Sequence, residues 1–198
     1  MASKFDLILR SGTQRGLTPA KTVEARDWFR ERAQTAGRRA SALAEIKNKR
    51  DWVTSGISIG KMYLFQYEAK HKATLPYWDM FPLVFPFGAE GSTFTGINVH
   101  YLPLPYRARL MDALYDTVNN NRFNESTRLN ISYSILSGAA KFNYFKPTVH
   151  KYLNSNVRSR LLEIPIDYWD IALFLPFHKF QNKSTNKVWS DSRKTIAG

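Results

Sequence analysis

The chain has no cysteine among its 198 residues. Disulfide staples and thiolate metal sites are therefore excluded, and the composition fits assembly in a reducing compartment. No apolar run reaches the roughly 20 residues of a membrane span. The longest uncharged stretch, residues 91–106, is broken by Ser, Thr, Asn and His, so no membrane partner is expected. The start, Met-Ala-Ser-Lys, lacks the apolar core of a secretory signal, which predicts a soluble protein not secreted by that route. There is no phosphate-cradling glycine loop and no nucleophile elbow. The four histidines, His71, His100, His150 and His178, have no local ligand spacing. A zinc site needs three or four donors converging on one point. They read as loop or hydrogen-bonded structural histidines, and neither a metal nor another cofactor is expected. Lys and Arg are missing altogether between Lys72 and Arg107.

What is present is charge at both ends and rings in the middle. The net charge is +13. Residues 1–50 hold twelve Lys/Arg against five Asp/Glu, residues 51–140 seven of each, and residues 141–198 ten against four. The excess thus lies on two flanks around a neutral body. Between Tyr63 and Tyr106 that body packs eleven aromatic residues and five prolines. Each large ring buries about 150–250 Å², so this segment is expected to supply most of the core. Basic ends around an aromatic body point to a folded core that presents cations to a polyanion or to neighbouring chains, rather than to an enzyme.

Periodicity predicts an α+β fold: a small antiparallel sheet around residues 61–100, packed by several helices, with a basic N-terminal helical arm. The expected division is 1–55 for the arm and its helices and 56–198 for the α+β core. Residues 1–17 read as an extended arm. Thr18-Pro19 opens a helix with Val23, Trp28, Phe29 and Ala33 on one face and Arg26, Arg30 and Glu31 elsewhere. Gly37 interrupts, and a second helical pattern runs through Leu43, Ile46 and Val53. In residues 61–68, Tyr63, Phe65 and Tyr67 alternate against Leu64 and Gln66, as in a strand. Strands are expected at 80–87 and 92–100 with a hairpin connection at 88–91. Pro82 and Pro86 place the former at an edge or in irregular extended structure. Pro105 opens a helix whose apolar face is Leu110, Met111, Leu114, Tyr115 and Val118, ended by Asn119, Asn120 and Asn121. Residues 127–141 fit both strand and helix; helix is preferred, with Ser126 as cap. A short basic helix is expected at 147–157, a strand at 160–164, a short element at 167–174 and a final helix at 184–196.

Three constellations could carry chemistry. Glu68-Ala69-Lys70, with Asp51 upstream, has the residue types of a metal-dependent nuclease, in which carboxylates hold a divalent ion and a lysine helps activate water. Asp51 falls at a helix end, however, and Glu-x-Lys triplets arise by chance; Glu45-Ile46-Lys47 is another. Tyr77, Trp78, Phe81, Phe85 and Phe87 could stack single-stranded bases, but no cation is interleaved with them, which favours a core or protein interface. The polyanion- or partner-binding candidates are Arg10, Arg15, Lys21, Arg26, Arg30, Arg38, Arg39, Lys47, Lys49 and Arg50, since phosphate contact needs only charge density and reach. A solvated face, or docking on acidic proteins, is the competing reading.

The strings GKMYLFQYEAKHKATLPYWDMFPLVFPF, FTGINVHYLPLPYRARLMDAL, VRSRLLEIPIDYWDIALFLPFHKF and KVWSDSRKTI resemble a family of virion-associated proteins of large contractile-tailed, T4-like bacteriophages, often labelled DNA end protector proteins. The resemblance covers roughly residues 60–196; the basic helices before it match nothing familiar. It implies a non-catalytic structural protein of the virion, made in the host cytoplasm. Its partners would be other virion proteins and, at the genome end, double-stranded DNA held without regard to sequence. A purely protein-binding baseplate, tail or neck component is the alternative, and a nuclease the minor one. The family brings no catalytic residue to carry over.

Overall fold

The alternation at residues 62–65 sends Met62 and Leu64 to one face of a sheet and Tyr63 and Phe65 to the other, and both faces are covered. A computed structural model describes residues 3–19, 21–36, 41–118, 134–136, 138 and 145–198. Six strands form one antiparallel sheet: β1 (Val53–Thr54), β2 (Met62–Leu64), β4 (Leu83–Glu90), β5 (Thr93–Asn98), β6 (Val149–Leu153) and β7 (Leu161–Ile164). Their order is β1-β7-β2-β4-β5-β6. A separate two-stranded ribbon pairs β3 (Trp78–Asp79) with β8 (Phe180–Gln181). Among the described residues the α-helices with both ends defined are α1 (Lys4–Thr13), α2 (Val23–Ala36), α3 (Ala42–Asn48), α4 (Leu104–Val118), α5 (Trp169–Phe174) and α6 (Thr185–Ala197). The fold is α+β, as the sequence predicts.

Residues 4–13, expected as an extended arm, are helical. The physical reason is a cap supplied from far along the chain. Ser3 accepts the Phe5 amide at 3.1 Å and donates to Glu45 at 2.5 Å, while Glu45 also accepts the Lys4 amide at 2.9 Å. A buried carboxylate of α3 thus satisfies the free amides of α1. Phe5 and Ile8 then enter the core. Gly12 lets α1 approach α2, because a Cβ there would run into the Phe29 ring. The main hydrophobic cluster joins Phe5, Phe29 and Ile46 to Leu83, Leu110 and Leu173, so residues from both sides of the 55/56 boundary share one core.

Other boundaries also shift for local reasons. α2 begins at Val23, not at Thr18-Pro19, since Thr22 caps it by accepting the Ala25 amide at 3.1 Å. Val23 is 63% exposed and lies off the buried face. The second helix stops at Asn48, where Lys49 leaves helical geometry, and Val53 belongs to β1. β4 lies inside the sheet, not at an edge. Its register shifts between Pro86 and Gly88, a bulge that absorbs the missing proline N–H. β4 runs on to Glu90, which pairs with Thr93, so the turn is Gly91-Ser92 rather than 88–91. Gly91 has φ +55°, the left-handed conformation such tight turns favour. Residues 147–157, expected as a helix, form an edge strand flanked by 3₁₀ turns. Pairing of β6 with β5 decides this, and Tyr152 stacks on Phe94 with ring centroids 5.1 Å apart. The expected helix at 127–141, the Ser126 cap and the Asn119–Asn121 stop lie almost wholly outside the described residues; 134–136 and 138 are helical.

The α4 face is as expected for Leu110, Met111, Leu114 and Tyr115, all buried; the Val118 side chain lies outside the description. Leu114→Ala is expected to cost about 2–5 kcal/mol. At about 2–4 °C per kcal/mol for a chain of this size, a thermal melt will show a clear loss.

Candidate nucleic-acid interface

The ten cations expected to meet a polyanion divide into three groups. Arg10, Arg15, Lys21, Lys47 and Arg50 are exposed. Arg15 lies over the Trp28 ring at 5.5 Å, and Arg15, Trp28, Arg32 and the carboxylate Glu31 line an open groove of 310 Å³ between α1 and α2. Arg26, Arg30 and Lys49 are instead buried and paired. Arg30 donates to Asp170 at 2.6 Å and to Asp112 at 2.7 Å; Arg26 reaches Asp112 at 3.2 Å. Lys49 donates to Asp6 at 2.6 Å and lies 4.1 Å from the Trp52 ring centre. Arg26 and Arg30 tie α2 to α4 and α5, and Lys49 ties the end of α3 to α1, so the three offer little to a phosphate. Arg38 and Arg39 lie outside the described residues.

The nuclease constellation is not assembled as a metal centre. Glu68 accepts from Lys72 and, at 2.9 Å, from Arg158, and both hold its carboxyl below the usual range. Glu45 of the other triplet is consumed by the cap on α1. Among the described residues no group of three or more His, Asp or Glu is placed to hold a metal ion, and no helix is long and apolar enough to cross a membrane.

Three of the histidines, scattered in sequence, meet in space around Asp79. This carboxylate accepts from the amides of Phe81 and Lys179, each at 3.1 Å, from Asn98 at 3.2 Å, and contacts His100 Nδ1 at 2.7 Å. Burial would raise it, but His100 and the two amides outweigh that and hold it low. The His100 ring lies 5.6 Å from His178, and Tyr101 lies 4.2 Å from His150. Burial pushes all three imidazoles down, His150 to about 4 and His178 to about 3. Arg107 is fully buried beside them. It donates to the carbonyls of Leu102 and Leu173 at 2.7 Å and of His100 at 3.1 Å, and burial pushes it down to about 9. This polar hub ties the β3–β8 ribbon to the sheet, α4 and α5.

Above the hub an open cleft of 270 Å³ lies along the β6 edge. Tyr67, Tyr101 and Tyr152 form its buried floor, while Tyr77 and Trp78 are half-exposed. Of the aromatic string considered from sequence, Phe81 and Phe85 are core residues, Phe87 and Trp78 are partly buried and pack against the two hydrophobic clusters, and Tyr77 is half-exposed. The cations missing between Lys72 and Arg107 come from elsewhere: Lys70 and His71 from the preceding loop and Lys151 from β6 all line this cleft and are exposed. Sequence reasoning missed this site because strand order, not spacing, brings β6 beside β5.

A family model described as the phage T4 terminal DNA protecting protein matches residues 14–192. The match therefore takes in α2 and α3, beyond the resemblance legible from residue 60 onward. No curated protein matches the chain, and no solved structure does.

Proposed function

The chain belongs to the phage T4 terminal DNA protecting protein family, and we propose from that premise that it is a virion protein that covers the end of a linear double-stranded genome. It holds DNA through phosphate contacts without reading sequence, contacts neighbouring virion proteins, and performs no catalysis. The family match carries this reading. The net charge of +13 and the exposed Arg10, Arg15, Lys21, Lys47 and Arg50 support it.

Salt titration of binding to linear duplex DNA tests it. Log–log plots of affinity against salt are expected to be linear, with a slope of about −0.9 per neutralised phosphate. Replacing the five exposed cations by Ala is expected to flatten that slope and leave the protein folded, because each surface substitution stays within about 0.5 kcal/mol. The bound DNA should resist an added exonuclease and stay intact with Mg²⁺ or Mn²⁺ alone. Absence of binding at low salt would leave a protein-binding component of the neck, tail or baseplate. Metal-dependent degradation lost in Glu68→Ala would overturn the non-catalytic reading.

A further inference from the structure

Resting on that DNA-end reading, we propose that the cleft between the β6 edge and the 70–77 loop binds an unpaired nucleotide of a DNA strand, its base stacked on Tyr77 and Trp78 and its phosphates held by Lys70 and Lys151. Size, chemistry and charge converge on this occupant. The volume of 270 Å³ lies just below the usual range of ligand sites, about 300–1,000 Å³, which suits one base and its sugar and nothing larger. Tyr77 and Trp78 line the cleft and are half-exposed, and stacking on aromatic rings accepts any base. Tyr77 is backed by Tyr101, ring centroids 6.1 Å apart, and by Phe180 at 6.4 Å, so the platform is held before a ligand arrives. Trp78 is fixed by pairing with Gln181 across the β3–β8 ribbon.

The charge around the cleft favours a phosphate. Lys70, His71 and Lys151 are exposed at its rim. Among the described residues the one carboxylate in its wall is Asp79, and both its oxygens are engaged by hydrogen-bond donors. Glu68 nearby is taken up by Lys72 and Arg158, and the exposed Glu90 reaches Lys151 only at 3.8 Å. A blunt duplex keeps its bases stacked and paired and cannot fill the cleft. A frayed or overhanging end can. The cleft would thus give a protein that ignores sequence a means of recognising a terminus.

The test compares a short oligothymidylate, a blunt duplex and the same duplex with a single-stranded overhang, by fluorescence anisotropy with the full chain; thymidine monophosphate is the free-nucleotide arm. The overhang is expected to bind about 5- to 150-fold more tightly than the blunt duplex, the stacking contribution of one base. Tyr77→Ala should remove that preference while leaving blunt-duplex affinity unchanged, and Tyr77→Phe, which keeps the ring, should retain it. Lys151→Ala should lower the salt slope for the oligothymidylate by about 0.7, the value of one phosphate on a single strand. Oligothymidylate and overhang binding that are lost in Tyr77→Ala sustain the proposal even if the blunt duplex does not bind, in which case only the duplex reading fails. Equal affinity for blunt and overhanging ends, a preference that survives Tyr77→Ala, or no binding of the oligothymidylate would overturn it. Competition by the free monophosphate at the oligomer's own affinity would show a nucleotide pocket unconnected with strand ends, and would overturn it as well.

Discussion

Arg30→Ala is expected to lower the stability of the protein by about 3–5 kcal/mol, the usual consequence of removing one partner of a buried ion pair. The side chains of Arg30 and Asp170 are 7% and 3% exposed and meet at 2.6 Å. Burial pushes the Asp170 carboxyl above its ordinary value even with Arg30 in place. Without the guanidinium that carboxylate is left in the core with no cation, and Asp112 loses its closer partner at 2.7 Å. The Arg30 guanidinium also lies 5.8 Å from the Phe174 ring centre, so packing is lost with the charge. Urea denaturation will measure the effect. Replacing both partners together, as in Arg30→Met with Asp170→Leu, should cost much less, because an apolar pair of similar volume leaves no buried charge unmatched. A surface, polyanion-binding Arg30 would show the opposite: a loss within about 0.5 kcal/mol and weakened DNA binding.

The reason this residue reads as a surface cation in the sequence is distance along the chain. Its acidic partners stand 82 and 140 residues away, and the partner of Lys49 stands 43 away. Three- and four-residue spacing does place Arg26 and Arg30 on the face of α2 that Phe29 and Ala33 bury, and Arg32 off it, but the carboxylates that let cations stay on that face cannot be seen locally. The same holds for α1, whose cap comes from Glu45, and for β6, whose strand character comes from β5. What could be read was what shows within a few residues: the alternation of β2, the apolar face of α4, and the final helix at 184–196, which begins where Ser184 accepts the Lys187 amide at 3.3 Å. The candidate site followed the same rule. Charge density was legible in the N-terminal third, but which cations are free depends on partners no window contains. The aromatic cleft was hidden because its rings and its lysines are supplied by separate segments.

Acidification from pH 7 to about 4.5 is expected to destabilise the protein by several kcal/mol, through histidines that fold in the neutral form. Unfolded imidazoles titrate near 6.5. His150 lies at about 4 and His178 at about 3 in the fold, both pushed down first of all by burial, and His100 is lowered for the same reason. A depressed folded value means that the unfolded chain binds more protons below pH 6.5. The full stability is therefore present above that value and is lost as pH falls towards the folded values. Each histidine contributes about 1.4 kcal/mol per pH unit in that window, so His150 and His178 together remove about 5 kcal/mol by pH 4.5. That is comparable with the whole stability of a small domain, about 5–15 kcal/mol. Asp79, held low, adds to the loss at more acidic pH; the raised Asp170 opposes it. The geometry gives no easy refuge for the added charge. His100 Nε2 and His178 Nδ1 are buried without a hydrogen-bond partner among the described residues, and Arg107 already places a cation beside them. Urea midpoints measured at several pH values should fall steadily between pH 6.5 and 4.5, with about two protons taken up on unfolding near pH 5. His150→Phe keeps a ring against Tyr101 and should remove one of those protons and flatten the pH dependence, as should His178→Phe. A stability that stays level from pH 7 to 4.5 would mean that these rings are charged in the fold, with the hub around Asp79 acting as an ion-pair cluster instead of a neutral one.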